Sequence, residues 1–460
     1  MTRRTVSIKP RVYQAYQRKD LDILPELRGL PPSEILAMKA VSAVLPFRTN
    51  NYVVEELIRW DEIPEDPIYQ LTFPQKGMLT RKDFKKMIPL IQNDSPPEMV
   101  AQAALEIQKR LNPHPAGQRE LNVPTLRGKP LQGVQHKYRE TVLFFPEHGQ
   151  TCHAYCTYCF RWAQFVGNED LKFSNNQIDL LVDYLLHHEE VRNVLFTGGD
   201  PLIMKTSVLR RYIEPLLIPE LENLTAIRIG TKATAYWPYR FLTDSDADDL
   251  LRLFEEVVAS GKHLALMAHY SHPRELETRE AKEAIRRIHG TGAVIRCQSP
   301  IVRHVNDTAG TWAQLWRDQE SLGAIPYYMF VERDTGPRNY FEIPLLKAYE
   351  VFQGAYHQIS GLGRTVRGPV MSATPGKVVI DAICELAGEK VFSLKFIQGR
   401  NPDWVGKPFF ARFDPKATWF DQLRPAFGAK KFFFDTDFSH FEKEVVDSSL
   451  NLLHSPRDRG

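Results

Sequence analysis

The chain has 460 residues, with 59 Lys and Arg against 56 Asp and Glu, which gives a formal net charge of +3. Apolar residues make up 43% and charged residues 25%, a mixture typical of folded globular proteins and not of disordered chains. The nearly balanced charge argues against a nucleic-acid or membrane partner, and no apolar run of about 18 residues predicts a membrane span. The basic N-terminus lacks an apolar signal segment, so we expect a cytoplasmic protein of two or three domains.

Residues 1 to about 125 have helical periodicity that is interrupted by prolines. The sequence predicts three helices here, over SEILAMKAVSAVL with Ser33 as N-cap, over YVVEELIRW, and over SPPEMVAQAALEIQKRL with Ser95 as N-cap. No motif with a chemical role stands out, and apolar stripes at helical spacing usually belong to a core. We therefore interpret residues 1–125 as a mostly helical packing region.

Between residues 126 and 380, short β-rich runs alternate with five amphipathic helical patterns. In the first of these patterns, Ser174 and Gln177 fit a capping box. The predicted strands are VLFF (142–145), NVLF (193–196), TAIRI (225–229), HLALMA (263–268), AVIRCQ (293–298) and PYYMFV (326–331). Such alternation indicates an α/β fold with a parallel sheet and right-handed connections, which suits a barrel or part of one. Chemistry is then expected at the carboxyl ends of the strands.

Residues 381–460 form a C-terminal extension that is rich in aromatic side chains and is predicted to be irregular. We interpret it as a wrap over the rest of the chain or as a contact between subunits. Closure over a substrate is the alternative, because aromatic residues are common in both settings.

Three of the five cysteines, Cys152, Cys156 and Cys159, fall within eight residues just after the first predicted strand. Three thiolates at C-x3-C-x2-C can bind three irons of a cubane cluster and leave the fourth iron open, since closed clusters use four cysteines. A zinc site would need a fourth ligand, and the adjacent His153 is badly spaced for that role. A disulfide is disfavoured by the odd cysteine count and the expected compartment. Three inert buried cysteines are the remaining alternative.

The second predicted strand ends in Thr197-Gly198-Gly199-Asp200. Paired glycines let a backbone approach a ligand closely, although the same pattern occurs in ordinary turns. With the three cysteines, this motif resembles the radical SAM superfamily, whose cluster motif C-x3-C-x2-C lies on a partial (βα)6 barrel. The resemblance implies a [4Fe-4S] cluster whose open iron binds S-adenosylmethionine, and a 5′-deoxyadenosyl radical that takes hydrogen from the substrate. It also implies that Gly198, Gly199 and Asp200 hold the amino group of the methionine part.

From about residue 60 to 380, the chain resembles the lysine 2,3-aminomutase family. The segments that carry this resemblance are, in order, IPEDPIYQLTFPQKGML, HKYRETVLFF, VLFTGGDPL, RIGTKA, AHYSHPREL, CQSPIVRHVND and IPYYMF. It implies that His269 and Gln298 contact S-adenosylmethionine, and that Arg228, Gly230 and Thr231 line the cofactor site. For His269 the alternative is a hydrogen-bonded core histidine.

Two further residues gain a role from the resemblance. Arg161 corresponds to an arginine that receives the substrate carboxylate, which a guanidinium can bind through two hydrogen bonds; a surface charge is the alternative. Lys377, in SATPGK (372–377), corresponds to the lysine that binds pyridoxal phosphate as a Schiff base; an exposed lysine after a Pro-Gly turn is the alternative. The glycine run before it is reduced to Gly376, and Ser372 stands where an acidic residue is expected.

The pattern departs from the family at other positions. Lysine-specific members carry a carboxylate after the strand PYYMFV. Asp334 or Glu332 is the candidate for that carboxylate in this chain, but the alignment to the family position is off by one residue. A distal substrate ammonium would therefore be poorly paired, which argues against L-lysine. Thr308 stands where a cysteine ligand of the family's structural zinc is expected, so no such site is expected. Cys297 and Cys384 are predicted to be buried packing residues.

Near the expected cofactor phosphate, Thr141 replaces a family arginine, while Lys137 keeps a positive charge close by. Our first hypothesis is a radical SAM 1,2-aminomutase that acts on an amino acid with pyridoxal phosphate. The second keeps the cluster and S-adenosylmethionine without pyridoxal phosphate. The third is a non-enzymatic iron-sulfur protein, against which the intact motifs argue. The resemblance implies as partners a small amino-acid-like substrate, an electron donor such as flavodoxin or ferredoxin, and a second copy of the chain in a homo-oligomer.

Overall fold

The computed structural model describes residues 8–168 and 171–443. Its N-terminal part contains short antiparallel strand pairs and four helices. The strands are β1 (Ala15–Gln17), β2 (Arg48–Asn50), β3 (Thr125–Leu126) and β4 (Lys129–Pro130), and the helices are α1 (Pro32–Ser42), α2 (Pro67–Thr72), α3 (Arg81–Gln92) and α4 (Pro97–Arg110). The apolar sides of these helices pack into one core that is shared with the rest of the chain.

A single sheet of eleven strands organises the rest of the described chain, and its spatial order follows the chain order. The strands are β5 (Val134–Tyr138), β6 (Thr141–Phe144), β7 (Asn193–Phe196), β8 (Ala226–Thr231), β9 (His263–His269), β10 (Val294–Ile301), β11 (Ile325–Val331), β12 (Arg367–Ser372), β13 (Gly376–Leu386), β14 (Glu389–Gly399) and β15 (Pro408–Arg412). Strands β6 to β12 are parallel, whereas β5 and β13 to β15 pair antiparallel.

Helices follow the parallel strands and cover the sheet. They are α5 (Ile178–Leu186), α6 (Thr206–Ile213), α7 (Ala233–Tyr236), α8 (Ala247–Ala259), α9 (Arg279–Gly290), α10 (Ala309–Ser321), α11 (Arg338–Phe341) and α12 (Leu345–Tyr356). Each of β6 to β11 is thus followed by a helix, so the predicted (βα)6 partial barrel is confirmed. The strands read as short apolar runs because parallel strands under helices are buried on both faces.

Several predicted helix starts are wrong. Ser33 and Ser95 are not N-caps, because α1 and α4 begin at prolines, and Pro suits a first helical position where no N–H is needed. YVVEELIRW forms only a short π-helical turn over Val53–Leu57. The capping box at Ser174 is also wrong. The chain there runs beside β6, where the Asn175 N–H donates to the Phe145 carbonyl at 2.8 Å, and α5 starts later.

The irregular structure expected after residue 381 is wrong as well. Strand β13 crosses that position, and with β14 and β15 it extends the sheet as an antiparallel meander. The aromatic side chains form a second core beneath these strands, which includes Phe396, Trp404, Phe409 and Phe434. These four residues are therefore internal packing residues, whereas Phe427 and Phe433 are exposed.

None of the helices that the structure describes has the length and apolarity needed to cross a membrane.

Candidate active site

One cavity lies at the carboxyl ends of the parallel strands, where the sequence predicted chemistry. Its wall is built from the loop after β6, the ends of β7 to β11, and side chains of β5, β13 and β14. The sequence-predicted residues that line it are Cys152, Cys156, Cys159, Arg161, Gly198, Gly199, Asp200, Arg228, Gly230, Thr231, His269, Gln298 and Lys377. Asp334 is not among its lining residues. Residues far apart in the chain thus meet in a single chamber.

The three cysteines lie on the loop between β6 and α5. Backbone hydrogen bonds fix this loop to the N-terminal region, with the Tyr155 N–H donating to the Arg48 carbonyl at 2.8 Å. All three cysteines are free thiols whose pKa values are raised by burial, that of Cys159 to about 12. Such thiols need a bound metal to become thiolates, and a coordinating metal deprotonates them outright.

Within the described ranges, no three His, Cys, Asp or Glu side chains converge closely enough to hold a single metal ion. A zinc ion would require such convergence, because its ligands share one centre. The three cysteines line one cavity, and in a cubane cluster each thiolate would bind a different iron.

The glycine turn after β7 packs against the segment that leads into the cysteine loop. A Cβ at Gly199 would lie 2.3 Å from the Thr151 carbonyl oxygen, and Gly198 has a φ of +131°. The Asp200 N–H donates to the same carbonyl at 2.7 Å. These glycines therefore hold the cysteine loop in place, in addition to lining the cavity.

Asp200 joins the turns after β7 and β8. One carboxylate oxygen accepts from the Leu202 N–H at 3.0 Å and the other from the Lys232 N–H at 2.8 Å, while the Thr231 hydroxyl contacts both at 2.8 and 2.9 Å. Burial raises the pKa of Asp200, and these hydrogen bonds oppose the rise. Protein donors thus hold the Asp200 carboxylate in one orientation at the cavity wall.

His269 and Gln298 are opposite each other on β9 and β10. The Gln298 Nε2 lies 2.9 Å from His269 Nε2, so the amide donates to an imidazole whose proton is on Nδ1. Burial, with the nearby Lys232 and Arg161, lowers the pKa of His269 to about 3. The histidine is therefore neutral at physiological pH. Arg228, on β8, donates to the Asn193 side chain at the start of β7 at 3.1 Å.

Lys377 stands on β13 opposite Gln398, whose Oε1 accepts a hydrogen bond from its Nζ at 2.6 Å. The ammonium lies 4.9 Å from the Tyr328 ring centroid and 5.3 Å from that of Tyr138. Burial, followed by the charges of Arg228 and Arg367, lowers the pKa of Lys377 to about 7. Lys377 is thus a sheltered amine that is partly unprotonated at neutral pH, and not an exposed lysine after a turn.

Lys137, on β5, adds a second amine to the same wall. Its Nζ donates to the Ala373 carbonyl. Burial, then the charges of Arg400, Arg333 and Lys377, lowers its pKa well below the ordinary value. The region around Lys377 is therefore rich in cations, which suits a phosphate group.

Arg161 is buried, with its guanidinium carbon 4.3 Å from the Phe145 ring centroid and 5.0 Å from that of Phe160. Burial lowers its pKa to about 9. It is not a surface charge, and it faces the cavity in a position that can receive an anion.

The structure does not bring Asp334 to this cavity. Its carboxylate and its carbonyl accept hydrogen bonds from the Asn112 amide at 3.2 and 2.8 Å. Glu332 and Arg333 line the cavity in its place. Burial raises the pKa of Glu332 well above its ordinary range. Arg333 was missed by the sequence reasoning, although it lies between the two acids that were considered.

The sequence did not predict the buried ion pair between Lys232 and Glu275. Lys232 Nζ lies 2.6 Å from Glu275 Oε1, and the Glu275 side chain is fully buried. Glu275 also accepts from the His272 N–H at 3.1 Å. The only available signal was the position of Lys232 directly after Gly230 and Thr231.

Of the residues outside the cavity, Thr308 caps α10 by accepting from the Thr311 N–H. Cys297 is buried as predicted, but Cys384 is exposed on β13, so the prediction for it is wrong. Its side chain lies near the distal end of a strand pair that projects beyond the barrel.

Comparison with known proteins gives several relatives. The chain is 31% identical over 404 residues to a protein of Aquifex aeolicus described as "Putative L-lysine 2,3-aminomutase", which covers 87% of this chain and 93% of that protein. It is 27% identical to the L-lysine 2,3-aminomutase of Acetoanaerobium sticklandii, over 60% of this chain and 62% of that protein. The Bacillus subtilis L-lysine 2,3-aminomutase is 25% identical over 71% and 75% of the two chains. No family model matches.

Among solved structures, a radical SAM methyltransferase from Sphaerobacter thermophilus aligns with a TM-score of 0.36 and 16% identity, over 51% of this chain and 68% of that one.

The near full-length relative, together with the cysteine loop on a partial barrel, places the protein in the class of radical SAM enzymes. Within that class, the chain belongs to the lysine 2,3-aminomutase family. It is accordingly an enzyme of the aminomutase, or isomerase, type.

Proposed function

We propose that this enzyme uses a radical derived from S-adenosylmethionine to move an amino group between neighbouring carbons of an amino-acid substrate, with pyridoxal phosphate as its second cofactor. The observation that carries the proposal is the shared cavity, in which the cysteine loop, the His269–Gln298 pair and Lys377 face one another. A radical reaction needs its groups held together and away from water, and a chamber of this kind supplies both conditions.

Cys152, Cys156 and Cys159 would hold the [4Fe-4S] cluster with one iron open. When bound, that cluster and S-adenosylmethionine supply a 5′-deoxyadenosyl radical, after an electron has arrived from a donor such as flavodoxin or ferredoxin. The neutral His269, oriented by Gln298, would hold the cofactor as a hydrogen-bonding group of the cavity wall. Arg161, which forms no ion pair among residues 8–168 and 171–443, would bind the substrate carboxylate from the cavity wall.

Lys377 would hold pyridoxal phosphate, which supplies an electron-delocalising ring for the migrating nitrogen. Three features of this chain fit that cofactor. The Lys377 amine is partly unprotonated at neutral pH because burial lowers its pKa to about 7, and only the unprotonated amine is nucleophilic. Gln398 orients that amine through a hydrogen bond. Lys137 places a second amine nearby, and a bound phosphate would favour its charged form.

The test begins with the anaerobic full chain, loaded with iron and sulfide and incubated with dithionite and S-adenosylmethionine. We expect 5′-deoxyadenosine, measured by chromatography with mass spectrometry. Cys156→Ala should abolish it, whereas Cys384→Ala, a matched change of an exposed cysteine outside the cavity, should not. Wild-type protein that holds a cluster and forms no 5′-deoxyadenosine would contradict the proposal.

The second measurement concerns pyridoxal phosphate. Borohydride reduction followed by peptide mass mapping should locate a phosphopyridoxyl group on Lys377 and none on Lys395, which pairs with Asp381 on the neighbouring strand. Lys377→Arg should remove the adduct. Formation of 5′-deoxyadenosine without any adduct on Lys377 would favour the alternative, a radical SAM enzyme of the family that works without pyridoxal phosphate.

A further inference from the structure

Arg333 follows directly after β11 and lines the cavity. Its guanidinium carbon lies 5.2 Å from the centroid of the Phe160 ring. Its Nε is buried and has no hydrogen-bond partner among residues 8–168 and 171–443. A buried donor on a charged group is costly when it stays unpaired, so a guanidinium in this state points to an anion from outside the chain.

The acids around Arg333 do not supply that anion. Glu332 lines the same cavity but forms no ion pair with Arg333 within the described ranges. Asp334 is bound to Asn112, and Asp200 is occupied by backbone N–H groups and the Thr231 hydroxyl. Asp334 and Glu332 are near enough to favour the charged form of Arg333, but neither forms an ion pair with it within the described ranges.

The other cations of the cavity already have a use in the proposed function. Lys377 would carry the cofactor aldehyde, Lys137 faces the expected phosphate, and Arg161 would bind the α-carboxylate of the substrate. Arg400 is near, but its three nitrogens donate to Thr374, Leu121 and Asn122. Of the remaining cations that line the cavity in the described chain, Lys232 pairs with Glu275 and Arg228 donates to Asn193, which leaves Arg333 for a further anionic group.

Arg161 and Arg333 are placed to bind two ends of one molecule. Their guanidinium carbons lie 5.0 and 5.2 Å from the same Phe160 centroid, and so are at most about 10 Å apart. The carboxyl carbons of a four- or five-carbon dicarboxylic amino acid are roughly 4 to 5 Å apart at ~1.5 Å per bond. Each guanidinium carbon sits roughly 4 Å from the carboxylate carbon that it binds. These lengths add to roughly 12 to 13 Å when extended, so a substrate of this size would reach both guanidinium groups in a bent conformation.

We propose that the substrate is an acidic amino acid, with Arg333 binding its side-chain carboxylate and Arg161 binding its α-carboxylate. This inference rests on the proposed function and adds the substrate class to it. L-lysine, which the names of the relatives give as their substrate, would place an ammonium beside the guanidinium of Arg333. That contact is repulsive in a low-dielectric cavity.

The test is equilibrium binding, measured by calorimetry on the full chain loaded with cluster and pyridoxal phosphate. L-Glutamate or L-aspartate should bind about 10- to 100-fold more tightly than L-glutamine, the neutral isostere, because one charge-assisted contact is lost. L-Lysine should bind more weakly than either acid. This comparison uses the wild-type chain, so it does not depend on how a variant folds.

Variants then assign the preference to Arg333. Arg333→Gln should weaken glutamate binding by about 10- to 100-fold and leave glutamine binding unchanged, while Arg333→Lys should retain part of the preference. Arg412→Gln, a matched change on the exposed end of β15, should have no effect. Equal affinities for glutamate and glutamine, tighter binding of lysine, or no binding of any of these amino acids would overturn the proposal.

Two further outcomes are informative. One distinguishes a substrate carboxylate from the cofactor phosphate as the anion that Arg333 binds, and the other distinguishes failure of the proposed cofactor from failure of the proposed substrate class. If Arg333→Gln weakens pyridoxal phosphate binding and leaves the glutamate-to-glutamine ratio unchanged, Arg333 binds the cofactor phosphate and the inference is wrong. If borohydride leaves no adduct on Lys377 but the acidic amino acids still bind preferentially through Arg333, the proposed cofactor fails and the substrate class stands.

Discussion

Replacing Gly199 with Ala tests whether the glycine turn positions the cysteine loop. The added Cβ would lie 2.3 Å from the Thr151 carbonyl oxygen and 2.4 Å from its backbone nitrogen, and both atoms are backbone that cannot rotate away. The segment before Cys152 must therefore move. Overpacking of this kind costs about 1–3 kcal/mol. We expect a lower unfolding midpoint in urea and fewer irons per chain after anaerobic reconstitution.

Gly230→Ala is the matched control, because its Cβ would lie 3.5 Å from the nearest atom, the Phe196 carbonyl oxygen, at ordinary contact distance. It lines the same cavity, so it separates a steric effect on the loop from a general sensitivity of the site. We expect its stability and iron content to match the wild type within error. Full iron content and an unchanged urea midpoint in Gly199→Ala would refute the reasoning.

Three further predictions follow from the charges of the site. The rate at which an aldehyde modifies Lys377 should rise with pH and be half-maximal near pH 7. Only the unprotonated amine reacts, and burial lowers the pKa of Lys377 to about 7. A midpoint above about pH 9 would instead match an ordinary lysine and contradict the prediction. Asp200→Asn places an amide N–H₂ group against the donors of Thr231 or Lys232. The free energy of unfolding, measured in urea, should therefore fall by about 1–3 kcal/mol. A decrease below about 0.5 kcal/mol would contradict this prediction. Lys232→Met leaves the buried Glu275 without its cation and should lower the free energy of unfolding by about 3–5 kcal/mol. Adding Glu275→Gln to the same chain should restore part of that stability. If the double variant is no more stable than Lys232→Met, the loss does not come from the ion pair.

Much of the barrel could be predicted from the sequence. The six strands after residue 140 were placed within a few residues of their observed bounds, because buried parallel strands leave short apolar runs between turn signals. The cysteine spacing and the glycine turn were also visible, since both depend on neighbours in the chain. The helix starts at Ser33, Ser95 and Ser174 were wrong because the Pro-Pro steps and the extended segment beside β6 override a local capping preference.

The chemical state of the site was decided by the tertiary structure alone. Burial, followed by the charges of Arg228 and Arg367, lowers the pKa of Lys377 to about 7, and these neighbours come from other strands. Arg333 lines the cavity and Asp334 does not, because the chain turns after β11 so that Asp334 contacts Asn112. Spacing along a sequence encodes motifs and periodicity, whereas burial and the pairing of charges depend on segments that meet only in the folded protein.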